Sequence, residues 1–122
     1  ITAANTAIPT ITAIINAGAK PKLVDIGDDY LIDVTKIEKE INLRTKAIIP
    51  VHLYGQTCEM DTIIKIARKN KIQIIEDCAQ SQGSLYRNKY AGTIGKLGCF
   101  SFYPTKILGA YGDGGFILTN DY

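Results

Sequence analysis

The sequence of 122 residues has no tryptophan, one histidine, one methionine and three cysteines. The odd number of cysteines, and the spacing of about 20 residues between them, fit neither a set of paired disulfides nor a CxxC metal site. We therefore expect Cys58, Cys78 and Cys99 to be reduced, structural thiols. One histidine, His52, is too few for most zinc sites, and no other ligands cluster around it in the sequence. No metal is predicted.

An excess of either charge is also lacking, since 14 Lys and Arg residues face 12 Asp and Glu residues and the formal net charge is +2. So small and dispersed a charge does not indicate a nucleic-acid-binding surface, and nucleic acid is not the favoured partner. No apolar run approaches the roughly 20 residues that cross a bilayer, and no charged segment precedes an apolar run like that of a signal peptide. We expect a cytoplasmic protein with neither nucleic acid nor a membrane as its partner.

What the sequence does have is an alternation of strand-length apolar runs with segments of helical periodicity, which is typical of a mostly parallel sheet covered by helices. Strands are predicted over residues 1–3, 22–25, 46–51, 72–76, 98–103 and 115–119, helices over residues 8–17, 35–41 and 61–70, and a loop over residues 81–97. Gly18 is expected to end the first helix, and Asp33 to cap the second. The predicted fold class is α/β, with helices on both faces of the sheet in three layers. Because no linker or repeat is present, residues 1–122 are expected to belong to a single domain.

Asp77 directly follows the apolar strand predicted over residues 72–76. Ligands gather beyond the carboxyl ends of the strands in an open α/β sheet, so the carboxylate of Asp77 is expected at this rim. From its position alone, Asp77 is more simply interpreted as a helix cap or as part of a surface ion pair.

Lys106 lies between two predicted strands and is followed by Gly109, Gly112, Gly114 and Gly115. Most loop lysines are solvated, but so many glycines indicate a tightly constrained loop. An aspartate and a lysine so placed are what an enzyme needs to hold pyridoxal phosphate, because the carboxylate keeps the pyridine nitrogen protonated and the amine binds the aldehyde. A dinucleotide site is disfavoured, since neither GxGxxG after a first strand nor GxxxxGK(S/T) is present.

Three specific stretches surround these two residues, namely EDCAQSQG at 76–83, FSFYPTK at 100–106 and GAYGDGG at 109–115. Further matching stretches lie upstream at residues 4–6, 18–21, 24–25 and 45–56. Together they make the sequence resemble the DegT/DnrJ-type sugar aminotransferase family over essentially the whole chain. Several motifs in the same order are far more specific than any one of them.

The resemblance implies pyridoxal 5'-phosphate as the cofactor and a role for each of four residues. Asp77 would pair with the pyridine nitrogen, and Gln80 would donate a hydrogen bond to the ring hydroxyl oxygen. Ser101 would contact the phosphate, while Lys106 would link to the cofactor and later move a proton between the substrate carbon and the cofactor carbon. Taken alone, Gln80 is an ordinary loop amide and Ser101 a structural serine. His52 stays outside the catalytic set, because a satisfied structural histidine is at least as good an interpretation.

Two positions depart from the family pattern. Ala7 stands where many members have an aromatic residue that stacks on the cofactor ring, so altered stacking is expected. Gln82 stands where members commonly have a histidine. A branch of the superfamily that has histidine in place of the cofactor-linked lysine carries out dehydration, so Lys106 favours transamination.

By the same resemblance, the expected activity is transamination of a nucleotide-linked keto sugar, with L-glutamate as amino donor, in polysaccharide, lipopolysaccharide or antibiotic sugar synthesis. Family members are homodimers of the fold-type I class and are about three times longer. We therefore expect these residues, which begin with Ile1 rather than Met, to be a central fragment of the large domain, without the N-terminal segment and the small C-terminal domain, and inactive alone.

Two alternatives remain open at this point. The first is another fold-type I enzyme, such as a cysteine desulfurase or an amino-acid aminotransferase. The second is a sensor or remnant that binds the cofactor without catalysis. The presence of all four site residues argues against a remnant.

Overall fold

The computed structural model describes residues 1–121, which form three α-helices and eight strands. The helices are α1 (Ile8–Asn16), α2 (Val34–Ile37), which continues into a 3₁₀ turn (Glu38–Glu40), and α3 (Met60–Asn70). The strands are β1 (Thr2–Ala3), β2 (Leu23–Val24), β3 (Ala47–Ile48), β4 (Gln73–Asp77), β5 (Leu85–Tyr86), β6 (Lys89–Tyr90), β7 (Leu97–Ser101) and β8 (Gly115–Thr119). None of the helices in this described part is long and apolar enough to cross a membrane.

The helices lie where the sequence predicted them, and local hydrogen bonds explain their ends. Gly18, with a φ of 75°, follows α1 and donates its N–H to the carbonyl of Ile15, which is typical of a helix-terminating glycine. Asp33 caps α2 by accepting a hydrogen bond from the N–H of Thr35 at 3.0 Å. The helix predicted over residues 35–41 differs from expectation in that its second half is the 3₁₀ turn.

The prediction of a continuous loop over residues 81–97 was wrong, because this segment contains an antiparallel hairpin of β5 and β6. The two residues of its turn, Arg87 and Asn88, have positive φ values of 46° and 65°. Such turns are usually marked in a sequence by asparagine or aspartate followed by glycine. The pair Arg87-Asn88 lacks this sequence signal, so the hairpin was not predicted.

Six of the described strands form one sheet in the order β2, β1, β3, β4, β7, β8. A parallel bridge between Thr2 and Ile49 joins the β1–β2 pair to the other four strands. Every pair is parallel except β7 with β8, so the sheet is mostly parallel, as predicted. The direction of the strand order changes between β1 and β3, and open α/β sheets form their ligand-binding crevices at such points.

Alternate side chains of β4 face opposite sides of the sheet. Ile74 and Glu76 are buried on the side covered by α3, whereas Ile75 and Asp77 are half-buried on the other side. The face that α3 buries consists of Met60, Ile63, Ile66 and Ala67. In contrast, α1 has no buried residue. The hydrophobic core therefore lies between the sheet and the helices α2 and α3.

Candidate active site

A cleft of about 1440 Å³ opens on the side of the sheet that carries Ile75 and Asp77. It runs along α1 and reaches the carboxyl ends of β4 and β7. Asp77, Gln80, Ser101 and Lys106 all line this cleft. The structure thus brings together the four residues that the sequence singled out.

Asp77 is the last residue of β4, and its N–H donates to the carbonyl of Pro50 at 2.9 Å. Each of its two carboxylate oxygens has one donor. Oδ1 accepts a hydrogen bond from the N–H of Ala79 at 3.1 Å, and Oδ2 accepts one from the hydroxyl of Thr10 at 2.6 Å. Within residues 1–121, Asp77 forms no ion pair and caps no helix. Asp77 is therefore neither the helix cap nor the member of a surface ion pair that its position alone suggested.

Sequence reasoning missed Thr10, which lies in the first turn of α1 and lines the cleft beside Asp77. A threonine in an apolar helix carries no signal by itself. The signal that could have found it is topological, because α1 is the next element after β1 and starts at the edge of the sheet where β4 ends. Polar side chains in the first turn of that helix can then reach the end of β4.

Gln80 and Ser101 both keep hydrogen-bond donors free for a ligand. Oε1 of Gln80 accepts a long hydrogen bond from the N–H of Tyr54 at 3.4 Å, and its NH₂ group has no partner among residues 1–121. Oγ of Ser101 accepts from the N–H of Tyr103 at 3.2 Å, so its hydroxyl hydrogen remains available. Nε2 of Gln82 donates to the carbonyl of Ser101 at 2.8 Å and supports the end of β7.

Lys106 lies in the loop between β7 and β8, which backbone hydrogen bonds close. The N–H of Phe102 donates to the carbonyl of Gly114 at 2.7 Å at the base of this loop. A Cβ atom on Gly109 would lie 2.6 Å from the carbonyl oxygen of Pro104, so the loop is tightly constrained there, as predicted. The half-buried Lys106 amine has no hydrogen-bond or ion-pair partner in the described part of the chain.

His52 lies outside this cleft, in the buried core. Its Nδ1 accepts a hydrogen bond from the N–H of Cys58 at 3.1 Å, so the ring is neutral and its Nε2–H donates to Oε2 of Glu76 at 3.0 Å. Potential ligand atoms of His52, Glu76 and Cys78 lie within 4.8 Å of one another. However, both ring nitrogens and both Glu76 oxygens already have hydrogen-bond partners, and burial raises the pKa of the Cys78 thiol. The cluster has the chemistry of a satisfied hydrogen-bond network.

The three cysteines are free thiols, as the sequence predicted. Burial raises the pKa of Cys58 to about 12 and also raises that of Cys78 and Cys99. They are therefore protonated, unreactive groups at neutral pH.

A sequence profile of the DegT/DnrJ/EryC1/StrS aminotransferase family matches residues 1–122. The chain belongs to this family. One curated relative, dTDP-3-amino-3,4,6-trideoxy-alpha-D-glucose transaminase from Micromonospora megalomicea subsp. nigra, is 49% identical over 122 residues, which are 99% of this chain and 33% of the relative. The pleiotropic regulatory protein of Geobacillus stearothermophilus is also 49% identical over 122 residues, again 99% of this chain and 33% of that protein. The chain therefore spans about a third of the length of the curated relatives it matches.

The fold of this family member is also found among solved structures. NtdA from Bacillus subtilis, solved with the bound cofactor PMP, aligns with a TM-score of 0.90 and 38% identity over 99% of this chain and 27% of that one. The mixed α/β arrangement described above is thus shared with a protein that binds PMP.

The groups in the cleft suit pyridoxal 5'-phosphate, the cofactor that the aminotransferase family implies. Asp77 offers a carboxylate for a protonated ring nitrogen, and Lys106 offers a free amine for an aldehyde. Gln80 and Ser101 offer neutral donors for oxygen atoms. Ala7 also lines the cleft, so the position that is aromatic in many family members provides no stacking ring here.

Proposed function

We propose that this chain is the cofactor-binding part of a pyridoxal-phosphate-dependent aminotransferase that transfers the amino group of L-glutamate to a nucleotide-linked keto sugar. The observation that carries the proposal is the convergence of Asp77, Gln80, Ser101 and Lys106 on one cleft at the carboxyl edge of the sheet. Family membership and the name of the Micromonospora relative support the class of substrate.

Asp77 and Lys106 would carry the chemistry. When bound, pyridoxal phosphate supplies an electron-withdrawing ring that stabilises negative charge on the amino-bearing carbon. Asp77 accepts the hydrogen bond of the protonated ring nitrogen and keeps that proton in place. Lys106 would hold the cofactor at its aldehyde group through Nζ, and the same Nζ would be the group that takes up and returns the proton of the amino-bearing carbon.

Gln80 and Ser101 would orient the cofactor. The free NH₂ of Gln80 donates to the ring hydroxyl oxygen and stabilises negative charge there without adding a formal charge. The hydroxyl of Ser101 donates to the phosphate. The hydrogen bond from Gln82 to the Ser101 carbonyl holds the end of β7, from which that hydroxyl projects.

In this proposal, residues 1–122 are the central part of a fold-type I large domain whose sheet has helices on both faces, in three layers. The contact of Thr10 in α1 with Asp77, and the packing of α3 on the Glu76 side, support this layering. The whole protein would be a cytoplasmic homodimer that makes amino sugars for polysaccharide, lipopolysaccharide or antibiotic synthesis.

A regulatory role is the second candidate function, because the relative from Geobacillus stearothermophilus is named a pleiotropic regulatory protein. In that case the same residues would bind the cofactor, but no amino group would be transferred.

The test is the absorbance spectrum of the full-length protein with added pyridoxal phosphate, before and after L-glutamate. We expect a band at roughly 410–430 nm that requires Lys106 and shifts when L-glutamate is added. Lys106→Ala should lose this band, while the control Lys65→Ala, which removes an exposed amine from α3, should keep it. Identical spectra for the wild type and Lys106→Ala would contradict the role of Lys106. A band that never responds to L-glutamate would favour the regulatory role.

A further inference from the structure

The hydroxyl of Thr10 connects α1 to the sheet. Oγ1 of Thr10 donates to Oδ2 of Asp77 at 2.6 Å, across 67 positions of sequence. Among residues 1–121 it is the only side-chain hydrogen bond from α1 to a strand. Because no residue of α1 is buried, the packing of this helix does not explain why position 10 is a threonine.

A second threonine in α1 shows the ordinary alternative. Oγ1 of Thr12 donates to the carbonyl of Ile8 at 3.1 Å, which is the usual bond of a helical threonine to its own preceding turn. Thr12 is exposed, whereas Thr10 is half-buried and lines the cleft. Two threonines of one helix therefore have different partners, and only Thr10 reaches the carboxylate.

The bond to Thr10 restricts the rotation of the Asp77 carboxylate. The torsion that turns an aspartate carboxylate is broad, so one donor alone leaves its plane poorly defined. Here Ala79 holds Oδ1 and Thr10 holds Oδ2, from two different segments of the chain. The threonine side chain is itself stiff, because its Cβ atom is branched. Each carboxylate oxygen keeps a lone pair for a further donor.

We propose that Thr10 is a positioning residue for the cofactor, which orients the Asp77 carboxylate toward the protonated ring nitrogen of pyridoxal phosphate. This inference rests on the proposed function, in which Asp77 binds the ring nitrogen of the cofactor. Thr10 itself acts only through Asp77. Its contribution is the fixed direction of the carboxylate before the cofactor arrives.

The test uses three variants of the full-length protein and measures the dissociation constant of pyridoxal phosphate by absorbance titration. Thr10→Val keeps the shape of the side chain and removes the donor, and we expect about tenfold weaker cofactor binding, the loss of one hydrogen bond to a charged group. Thr10→Ser restores the hydroxyl and should recover most of the affinity. Thr12→Val is the matched control and should bind like the wild type.

Circular dichroism and thermal unfolding of the cofactor-free proteins distinguish a positioning effect from loss of the fold. We expect Thr10→Val and Thr12→Val to unfold at similar temperatures and to differ only in cofactor affinity. Wild-type affinity in Thr10→Val would overturn the role of Thr10 and leave the proposed function standing, and so would equal weakening by the two valine variants. Failure of the wild type itself to bind pyridoxal phosphate would overturn both.

Discussion

At the scale of single residues, the carboxylate of Glu76 has a structural task, unlike its neighbour in the cleft. Burial acts to raise the pKa of Glu76, but hydrogen bonds from His52 and from three backbone N–H groups outweigh this effect, so the pKa lies below its ordinary value of 4.5. The three backbone donors are the N–H groups of Gly95, Gly92 and Ile94. Glu76 therefore binds the segment of residues 92–95 to β4.

Replacing Glu76 by glutamine is expected to destabilise the protein by about 3 kcal/mol at neutral pH. Each oxygen of the Glu76 carboxylate now accepts hydrogen bonds from two N–H groups. Whichever of the two oxygens the NH₂ group of glutamine replaced, two N–H donors would lose their acceptor. Urea unfolding of the full-length protein measures the loss. The control is Glu38→Gln, in a solvent-exposed ion pair with Lys69, which should change stability little. Equal effects of the two substitutions would contradict the prediction.

The lowered pKa of Glu76 also sets the sign of a pH dependence. A carboxyl group whose pKa is lower in the folded state contributes stability above its unfolded pKa, and this contribution is lost as the pH falls through the folded value. The difference in unfolding free energy between the wild type and Glu76→Gln should therefore shrink as the pH falls below 4.5. Urea midpoints measured from neutral to acidic pH test this. A difference that widens in acid would mean that the folded protein raises the pKa instead.

The sequence could predict where Asp77 lies but not what holds its carboxylate. The predicted strand over residues 72–76 that precedes Asp77 is mostly apolar, so the position of Asp77 at the rim follows from the local pattern. Thr10 is distant in sequence and belongs to a helix whose periodicity says nothing about one hydroxyl. The sequence likewise could not predict the structural role of His52, because that role depends on its hydrogen bonds with Glu76 and Cys58.

At the scale of elements, β7 packs directly against the backbone of the preceding loop. A Cβ atom on Gly98 would overlap the carbonyl oxygen of Gly92, where backbone rather than a flexible side chain would have to move. We expect Gly98→Ala to destabilise the protein by about 3 kcal/mol. Gly112→Ala is the control, because no heavy atom lies within 4 Å of its Cβ position. Thermal unfolding should separate the two variants, and equal midpoints would show that the contact at Gly98 is unimportant.

Helix ends, which depend on neighbouring residues, could be predicted from the sequence. The β5–β6 hairpin and the strand order, which depend on how strands pair, could not. The helix ends at Gly18 and Asp33 follow from capping chemistry, which involves neighbouring residues alone. The β5–β6 hairpin turns through Arg87 and Asn88 without a glycine, so its turn was not visible in the sequence. The position of β1 between β2 and β3 was not predicted either, since it depends on long connections that fit several strand orders.

At the scale of the whole molecule, the two sides of the sheet are covered unequally. The helix α1 is apolar, yet Ile8 and Ile15 are 80% and 56% exposed, and Ile117 of β8 is 64% exposed. The chain also spans only about a third of its curated relatives. In the proposed full-length protein, further parts of the chain would cover this surface.

The isolated 122-residue chain is therefore expected to bind a hydrophobic dye and to form large aggregates, because large exposed apolar patches are rare on soluble proteins. The full-length protein should bind little dye and elute as the proposed homodimer. Dye fluorescence and size-exclusion chromatography measure both properties. Replacing Ile8 and Ile15 together by lysine should reduce dye binding. The control Leu43→Lys changes a single, fully exposed loop leucine and should not. Unchanged fluorescence in the double variant would contradict the importance of α1.

The alternation of side chains in β4 has a consequence for how this strand can evolve. Glu76 supports the fold on one side of the sheet, while Asp77 lines the cleft on the other. The two side chains point to opposite sides only because they are consecutive residues of the strand. An insertion or deletion of one residue upstream in β4 would exchange the sides of both carboxylates at once. Lineages that carry this strand can therefore diversify by substitution at the cleft rim, whereas insertions or deletions of an odd number of residues in β4 would disrupt both the fold and the cleft.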